Sequence, residues 1–237
     1  MPNPTDPLPT HAISDDLEAR ELLRAATERS YKLPHNFAGF HAHTTVQYGS
    51  QMITGTVRVQ SPQQITVQVD DASEQPTPPA AVLWLQGEIR SMVGHRWPVP
   101  FEQRDGRYLL TQDATPHVLG PRIDLHGDPL HSCYRVRGEQ ITLVQRTMGG
   151  QSFTITMLAH TLLPDGRSLP AHYVVVFRDA TSQHIIRTDA YTDRFMSVAG
   201  CWLPHERQVV RHDADGMHAA IFVLYEHTLL LPDAEVA

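Results

Sequence analysis

An alternation of apolar and polar residues early in the chain constrains the fold more than any other feature. It covers three consecutive segments, residues 40–48, 56–60 and 64–69. Such alternation is typical of strands with one buried face. Gly49 and Pro62 stand between the segments, where glycine permits turn dihedrals and proline cannot donate to a sheet ladder. We therefore predict an antiparallel meander with one face exposed to solvent.

Two stretches have helical periodicity instead. The first helix is predicted to begin at residues 14–16, whose acidic and hydroxyl side chains can cap free amides. An apolar stripe at helical spacing follows, and the helix is predicted to stop by Lys32, because Pro34 disfavours helix at the residue before it. The second helix is predicted over residues 79–93, between a proline and a glycine.

The remaining chain is predicted to extend the same sheet. Hairpin signals occur at residues 149–150 and 213–216. Residues 114–132 are rich in proline, glycine and histidine and are predicted to be irregular apart from a strand around Arg122–Leu125. Residues 1–13 are predicted to form a flexible tail. We predict one α+β domain over residues 14–237. Its single curved antiparallel sheet of about nine to eleven strands forms an open half-barrel, with both helices on the concave side.

The spacing of Gly39, Gly55 and Pro62 along the meander carries a resemblance to known proteins. A short helix followed by this meander resembles the opening of the bacterial lipoprotein-carrier proteins of the periplasm. In that family a strongly bent antiparallel sheet wraps around helices and makes an open half-barrel for acyl chains. The resemblance implies a half-barrel here, with a cavity for an apolar molecule.

Longer segments extend a second resemblance over most of the chain. The matching pieces are ARELLRAATERSYKLPHNFAGF (Ala19–Phe40), YRVRGEQITLVQRTM (Tyr134–Met148), DAYTDRFMSVAGCWLPHERQ (Asp189–Gln208) and EHTLLL near the end. Through them the chain is similar to an uncharacterised family of photosynthetic bacteria, their relatives and plastids. To our knowledge that family has no assigned reaction, so the resemblance implies a fold and no function.

Composition limits the classes of partner. The 237-residue chain is 41% hydrophobic, which is enough for a packed core, and its formal net charge is −7 without a Lys/Arg-rich run. Nucleic-acid binding needs a basic footprint, so we expect no nucleic-acid partner. No apolar run reaches the roughly 18 residues that a membrane span requires. The first residues lack the basic and apolar regions of a secretory signal, which predicts a cytoplasmic protein.

Fifteen histidines are the compositional anomaly of the chain. His41 and His43 are two residues apart in a predicted strand, so their imidazoles lie on one face, as in many zinc, copper and iron sites. His126 and His131, in the predicted irregular segment, are the candidates for further ligands. A transition metal is the cofactor that these four residues would bind. The alternative is a polar strand face with no metal.

Other catalytic patterns are weaker, and no catalytic residue is assigned. The chain contains no GxSxG nucleophile motif. Cys133 follows His131 by two residues, which lowers a thiol pKa if the side chains touch, but the position favours a half-buried structural cysteine at the start of a strand. Cys201 is the second cysteine, and we expect both thiols to be free. Whether the protein is an enzyme stays open.

A cavity for a small molecule has a better physical basis. A bent sheet must cover its apolar concave face with helices or with a ligand. We expect Ile155, Val174 and Ile221 to face inward together with the apolar residues of the meander. The residues predicted to line the ligand are Phe40, Val46, Val57, Val59 and Trp84.

These patterns favour a non-catalytic protein that binds an apolar or amphipathic small molecule, such as a lipid, isoprenoid or pigment. The alternatives are a metal-dependent enzyme built on the histidines and a structural or assembly factor. A binding protein requires apolar side chains around an opening in the sheet. A metal-dependent enzyme requires at least three ligands within about 2.0–2.2 Å of one ion. The sequence gives no indication of the oligomeric state.

Overall fold

The computed structural model describes residues 13–70, 79–113 and 115–231. These residues form twelve strands and two α-helices, α1 (Leu17–Arg29) and α2 (Pro79–Gly94). The strands, in chain order, are β1 (Phe40–Tyr48), β2 (Gln51–Ser61), β3 (Gln64–Val69), β4 (Leu109–Asp113), β5 (Arg122–His126), β6 (Cys133–Arg137), β7 (Gln140–Met148), β8 (Gln151–Leu162), β9 (Ser168–Asp179), β10 (Ile185–Val198), β11 (Cys201–Asp213) and β12 (Gly216–Leu229). All but the last residue of the predicted flexible tail lies outside the described residues.

All twelve strands join one sheet, in the order β3-β2-β1-β12-β11-β10-β9-β8-β7-β6-β5-β4. Each strand pairs with the next strand in the chain, except that β3 and β4, which form the two edges of the sheet, do not pair with each other. One long-range antiparallel pairing joins β1 to β12. The edges do not pair with each other within the described chain, so the sheet is the open half-barrel that the sequence predicts. The twelve observed strands exceed the predicted nine to eleven, and the strand predicted around Arg122–Leu125 is present as β5, paired with β4.

Helix α1 begins and ends close to its predicted bounds. The side chain of Asp16 accepts hydrogen bonds from the backbone N–H groups of Glu18 and Ala19, which caps the helix start. Arg29 lies in the last turn, where a cation complements the helix dipole. The buried stripe of α1 packs on an apolar cluster of strands β4 to β7. The members of this cluster are Ala19, Leu23, Ala26, Phe101, Leu110, Ile123, Leu125, Tyr134, Val136 and Val144.

Helix α2 covers the other flank of the sheet. Leu85, Ile89 and Met92 are at most 2% exposed and belong to an apolar cluster with residues of β1, β2, β3, β11 and β12. Val46 and Phe222 lie in the same cluster. Interiors packed in this way leave few voids larger than a water molecule. The cavity beneath α2 has a volume of only about 10 Å³.

Both helices lie on the same face of the sheet, which is its concave face. Residues that pair across neighbouring strands have their side chains on the same face, as do residues two positions apart in one strand. A series of such steps leads from Val46 beneath α2 to Ile123 beneath α1. Helix α1 contacts β4, β6 and β7, and α2 contacts β3 and β11. The long strands β8, β9 and β10 lie between these flanks. The centre of the concave face is therefore less covered than its sides.

We expect the Ile89→Ala substitution to lower the free energy of unfolding by about 2–5 kcal/mol, because it leaves a cavity among fully buried side chains. Leu83→Ala on the same helix is the control, since Leu83 is 67% exposed and its loss should cost less than about 0.5 kcal/mol. Urea denaturation followed by circular dichroism measures both. Similar losses in the two variants would show that α2 does not pack through Ile89.

Candidate binding site

The less covered centre of the concave face carries apolar and aromatic side chains on β8, β9 and β10. We call this surface the central floor. Its members, which share one face through the register of the three strands, are Phe153, Ile155, Met157, Tyr173, Val175, Phe177 and Tyr191. Val175 is buried, and the other six are half-buried. The centre of the half-barrel therefore keeps accessible apolar surface.

Aromatic contacts fix the side chains of the central floor. The rings of Tyr173 and Tyr191 stack with their centroids 4.8 Å apart and their planes at 11°. The ring centroids of Phe153 and Phe177 are 5.8 Å apart, and the Arg187 guanidinium lies 3.8 Å from the centroid of Phe177. Contacts of both kinds are attractive at these distances. The floor is a preformed apolar surface with a cation at its edge.

A buried ionic network separates the central floor from α2. Nε and Nη2 of Arg207 donate to the two carboxylate oxygens of Asp193 at 2.7 and 2.6 Å, and Nη1 donates to the carboxylate of Glu88 on α2 at 2.9 Å. The Tyr173 hydroxyl accepts a further hydrogen bond from Nη2 at 2.6 Å. The side chains of Arg207 and Asp193 are 1% and 0% exposed. Such bidentate, charge-assisted contacts fix the position of α2 on the sheet.

The protonation equilibria of this network reflect its burial. Burial alone lowers the pKa of Arg207, but Asp193 and then Tyr173 raise it above the ordinary value. Burial raises the pKa of Glu88, and Arg207 opposes that effect. Burial also raises the pKa of Tyr173. Arg207 therefore stays charged and holds the network together.

A second ionic group borders the central floor near the hairpin that joins β9 to β10. The carboxylate of Asp189 is fully buried and accepts from Nε of Arg211 at 3.0 Å, and Nε of Arg187 lies 3.2 Å from it. The Tyr191 hydroxyl donates to the same carboxylate at 3.3 Å. Arg187 and Arg211 keep about a third of their side-chain surface exposed. Accessible cations thus border the floor on this side.

The chain between α2 and β4 passes from one flank of the concave face to the other. We call residues 95–108 the crossing segment. It meets the end of α1, where the backbone N–H of Leu33 donates to the carbonyl of Arg96 at 2.8 Å. A cleft of about 450 Å³ lies between the crossing segment and the end of α1, and Tyr31, Lys32 and Phe101 are among its lining residues.

The five residues predicted to line a ligand lie on the flank that α2 covers. Phe40, Val46, Val57 and Val59 are at most 1% exposed in the cluster beneath the helix. Trp84 is half-buried on α2, with its ring centroid 5.5 Å from that of Tyr48 and 6.0 Å from that of Phe222. The accessible apolar surface lies instead on β8 to β10. Of the floor residues, Ile155 is the one that the sequence predicts to face inward.

The structure does not assemble the metal centre expected from the histidines. His41 and His43 point away from the helices, with their ring centroids 5.9 Å apart, and His43 stacks on Tyr225 at 5.7 Å. Nε2 of His126 lies 2.7 Å from the Thr111 hydroxyl. His131 is exposed, and β5 and β6, the strands on either side of it in the chain, lie eight and seven positions from β1 in the sheet order. In the described ranges, no three His, Cys, Asp or Glu side chains are close enough to hold a metal ion.

Both cysteines are free and buried, as the packing alternative predicts. Burial is the largest cause that raises the pKa of Cys133, whose sulfur lies 3.8 Å from Oε1 of Gln145. Burial likewise raises the pKa of Cys201. Raised pKa values make both thiols poor nucleophiles. The pairing of Cys133 with His131 therefore does not produce an activated thiol.

The fold and the floor define an open antiparallel half-barrel with an apolar concave centre. The chain belongs to the family described as "Protein of unknown function (DUF3386)", whose model matches residues 14–230. This match confirms the predicted resemblance to an uncharacterised family. None of the curated proteins matches the chain. Among the described residues, neither helix is long and apolar enough to cross a membrane.

Solved structures of three other proteins are distantly similar. A protein described as an outer membrane lipoprotein-sorting protein domain, from Vibrio parahaemolyticus, has a TM-score of 0.41 and 9% identity over 92% of this chain and 95% of that chain. A DUF1329 family protein from Desulfovibrio piger has a TM-score of 0.27 and 7% identity over 94% and 95%. The MucA/MucB complex of Pseudomonas aeruginosa gives a TM-score of 0.21 and 10% identity over 87% and 93%.

We expect Arg207→Met to lower the free energy of unfolding by about 3–5 kcal/mol, because it leaves two carboxylates without their buried cation. Arg194→Gln is the control: Arg194 is 67% exposed and its nitrogen lies 3.7 Å from Glu206, so its loss should cost less than about 1 kcal/mol. Chemical denaturation at pH 7 measures both. A small loss for Arg207→Met would refute its role in fixing α2.

Proposed function

We propose that this protein binds an amphipathic small molecule, such as a lipid, isoprenoid or pigment, on the concave face of its half-barrel. The apolar part of the molecule lies on the central floor. The observation that supports this proposal is the set of half-buried aromatic and apolar side chains on β8 to β10, between the two flanks that the helices cover.

Physical chemistry favours a ligand on such a surface. Covering apolar surface gains about 25 cal/mol for each Å² removed from water. Small-molecule sites are typically concave, mostly apolar and preformed, with a few polar groups that fix orientation. The stacked rings of Tyr173 and Tyr191 and the Phe153–Phe177 pair supply a preformed apolar surface. Ordering this surface on binding therefore costs little entropy.

The charges around the floor favour an amphipathic ligand over a purely apolar one. Arg187 and Arg211 keep about a third of their side-chain surface exposed beside the floor. Cations beside an apolar surface favour a molecule that has a polar end as well as an apolar part that covers the aromatic rings. A molecule without a polar end would only remove water from them, at a cost in free energy.

The flank beneath α2 is a poorer location for the ligand. Its cavity has a volume of about 10 Å³, which is room for a single water molecule at most. The helix is held there by Ile89 and its neighbours and by the ion pair of Glu88 with Arg207. A ligand against Phe40 or Val46 would have to displace α2, and we therefore propose the central floor instead.

Native mass spectrometry of the gently purified full chain tests whether a ligand is present. We expect a co-purifying organic mass that denaturing solvent removes. If the protein carries no such molecule and takes up none of the lipids, isoprenoids or pigments of its host extract, the proposed function fails. A stoichiometric metal without an organic mass would point to the enzyme alternative instead.

A charge placed on the central floor tests the location. We expect Met157→Glu to weaken binding of the neutral fluorescent probe N-phenyl-1-naphthylamine at least about tenfold, because a carboxylate facing an apolar ligand loses solvation. Thr156→Glu is the matched control, since it introduces the same charge one residue away on the opposite face. Fluorescence titration measures both. Equal affinities for the two variants would exclude the floor as the site.

A further inference from the structure

Five basic side chains gather where the crossing segment meets the end of α1 and strand β7. We call this group the basic recess, and its members are Lys32, His95, Arg96, Arg104 and Arg146. Burial and then Arg96, Arg146, Arg104 and Lys32 lower the pKa of His95 to about 3. His95 itself is exposed at the surface. The cations of this group therefore surround a position that solvent and small anions can reach.

Arg96 is the most buried member of the recess, at 5% exposure. Its guanidinium lies 4.3 Å from the ring centroid of Phe195 and donates to the carbonyl of Met92. Its Nε has no hydrogen-bond partner among the described residues. Burial lowers the pKa of Arg96 to about 10, although Asp193 raises it. A buried guanidinium with an unpartnered N–H is costly, and an anion would offset that cost.

Lys32 connects the recess to open space. Its Nζ donates to the carbonyl of His95 at 2.7 Å, and the residue also lines the cleft of about 450 Å³ beside α1. Burial, then Arg104 and Arg96, lower the pKa of Lys32 to about 7. An anion in the recess would counter the repulsion among these cations and keep Lys32 protonated.

The carboxylates near the recess are already engaged. Asp105 is 5% exposed, pairs with Arg104 at 3.3 Å and accepts from the Tyr134 hydroxyl at 3.2 Å. The same hydroxyl accepts from Nη2 of Arg146 at 2.8 Å. Asp128 raises the pKa of Arg146, and its carboxylate accepts hydrogen bonds from backbone N–H groups of its own loop. Positive charge therefore exceeds negative charge in the recess, in a chain whose net charge is −7.

We propose that the basic recess binds an anionic group, a carboxylate or a phosphate, and that this group is the polar end of the ligand on the central floor. This inference rests on the proposed function. The two surfaces adjoin, because Arg146 of the recess pairs in register with Phe153 of the floor. Charge-assisted hydrogen bonds from guanidinium and ammonium groups are the usual means of binding such anions.

Calorimetric titration of the full-length protein with dodecyl phosphate, dodecanoate and dodecanol separates the anionic group from the apolar tail. We expect the two anions to bind at least about tenfold more tightly than the alcohol. The double variant Lys32→Gln/Arg104→Gln should remove that preference and leave the affinity for dodecanol unchanged. Both residues are only partly buried, so the variant should fold. Arg58→Gln, on the opposite face and exposed, is the control and should keep the preference.

Each other outcome has a distinct meaning. Equal affinities of wild-type protein for the anions and the alcohol would overturn the anionic recess and leave the proposed function standing. A preference that survives the double variant would also overturn it. Titration with inorganic phosphate distinguishes a free anion from a headgroup. If inorganic phosphate binds as tightly as dodecyl phosphate and this binding needs Lys32, the result would support the recess and contradict the proposed function. Failure of all four probes to bind would count against both.

Discussion

The width of the sheet is the constraint on which the rest of this structure depends. Twelve strands spaced about 4.8 Å apart extend over roughly 50 Å, whereas a helix with its side chains is about 10–12 Å wide. Two helices of 13 and 16 residues therefore cannot cover one whole face. They pack on the flanks, α1 on the apolar cluster of β4 to β7 and α2 on the apolar cluster that includes residues of β1, β2, β3, β11 and β12. The long central strands keep aromatic side chains half-buried. These side chains are the reason that the concave face is a candidate binding site.

Ionic contacts set the border between the packed flank and the open centre. Arg207 links β10, β11 and α2 through Asp193 and Glu88, so α2 is held at one position on the sheet. Its third partner, Tyr173, belongs to the central floor. The same strands therefore carry a rigid apolar surface and the charges that bound it. Arg96 and the rest of the basic recess lie beside this surface on the side nearest α1, and Arg187 and Arg211 lie beside it near the hairpin that joins β9 to β10.

Local patterns predicted the flanks of the fold better than its centre. Alternation placed Phe40 inside, and helix caps placed α1 and α2 within a few residues of their observed bounds. Strand β9 contains three consecutive valines, so alternation does not define its phase: Val174 was expected to face inward, but Val175 does. The burial of Arg207 depends on Glu88, which is 119 positions away in sequence. No local pattern encodes such a partner, so the network and the recess were missed.

A crystal structure of the protein with bound dodecyl phosphate would test the central claim most directly. We expect density for the alkyl chain against Phe153, Ile155 and Tyr173 on the concave face, with the phosphate within hydrogen-bond distance of Lys32 or Arg96. Helix α2 should stay where Arg207 holds it. Density for the chain beneath a displaced α2, against Val46, would contradict the claim that the ligand occupies the centre of the half-barrel.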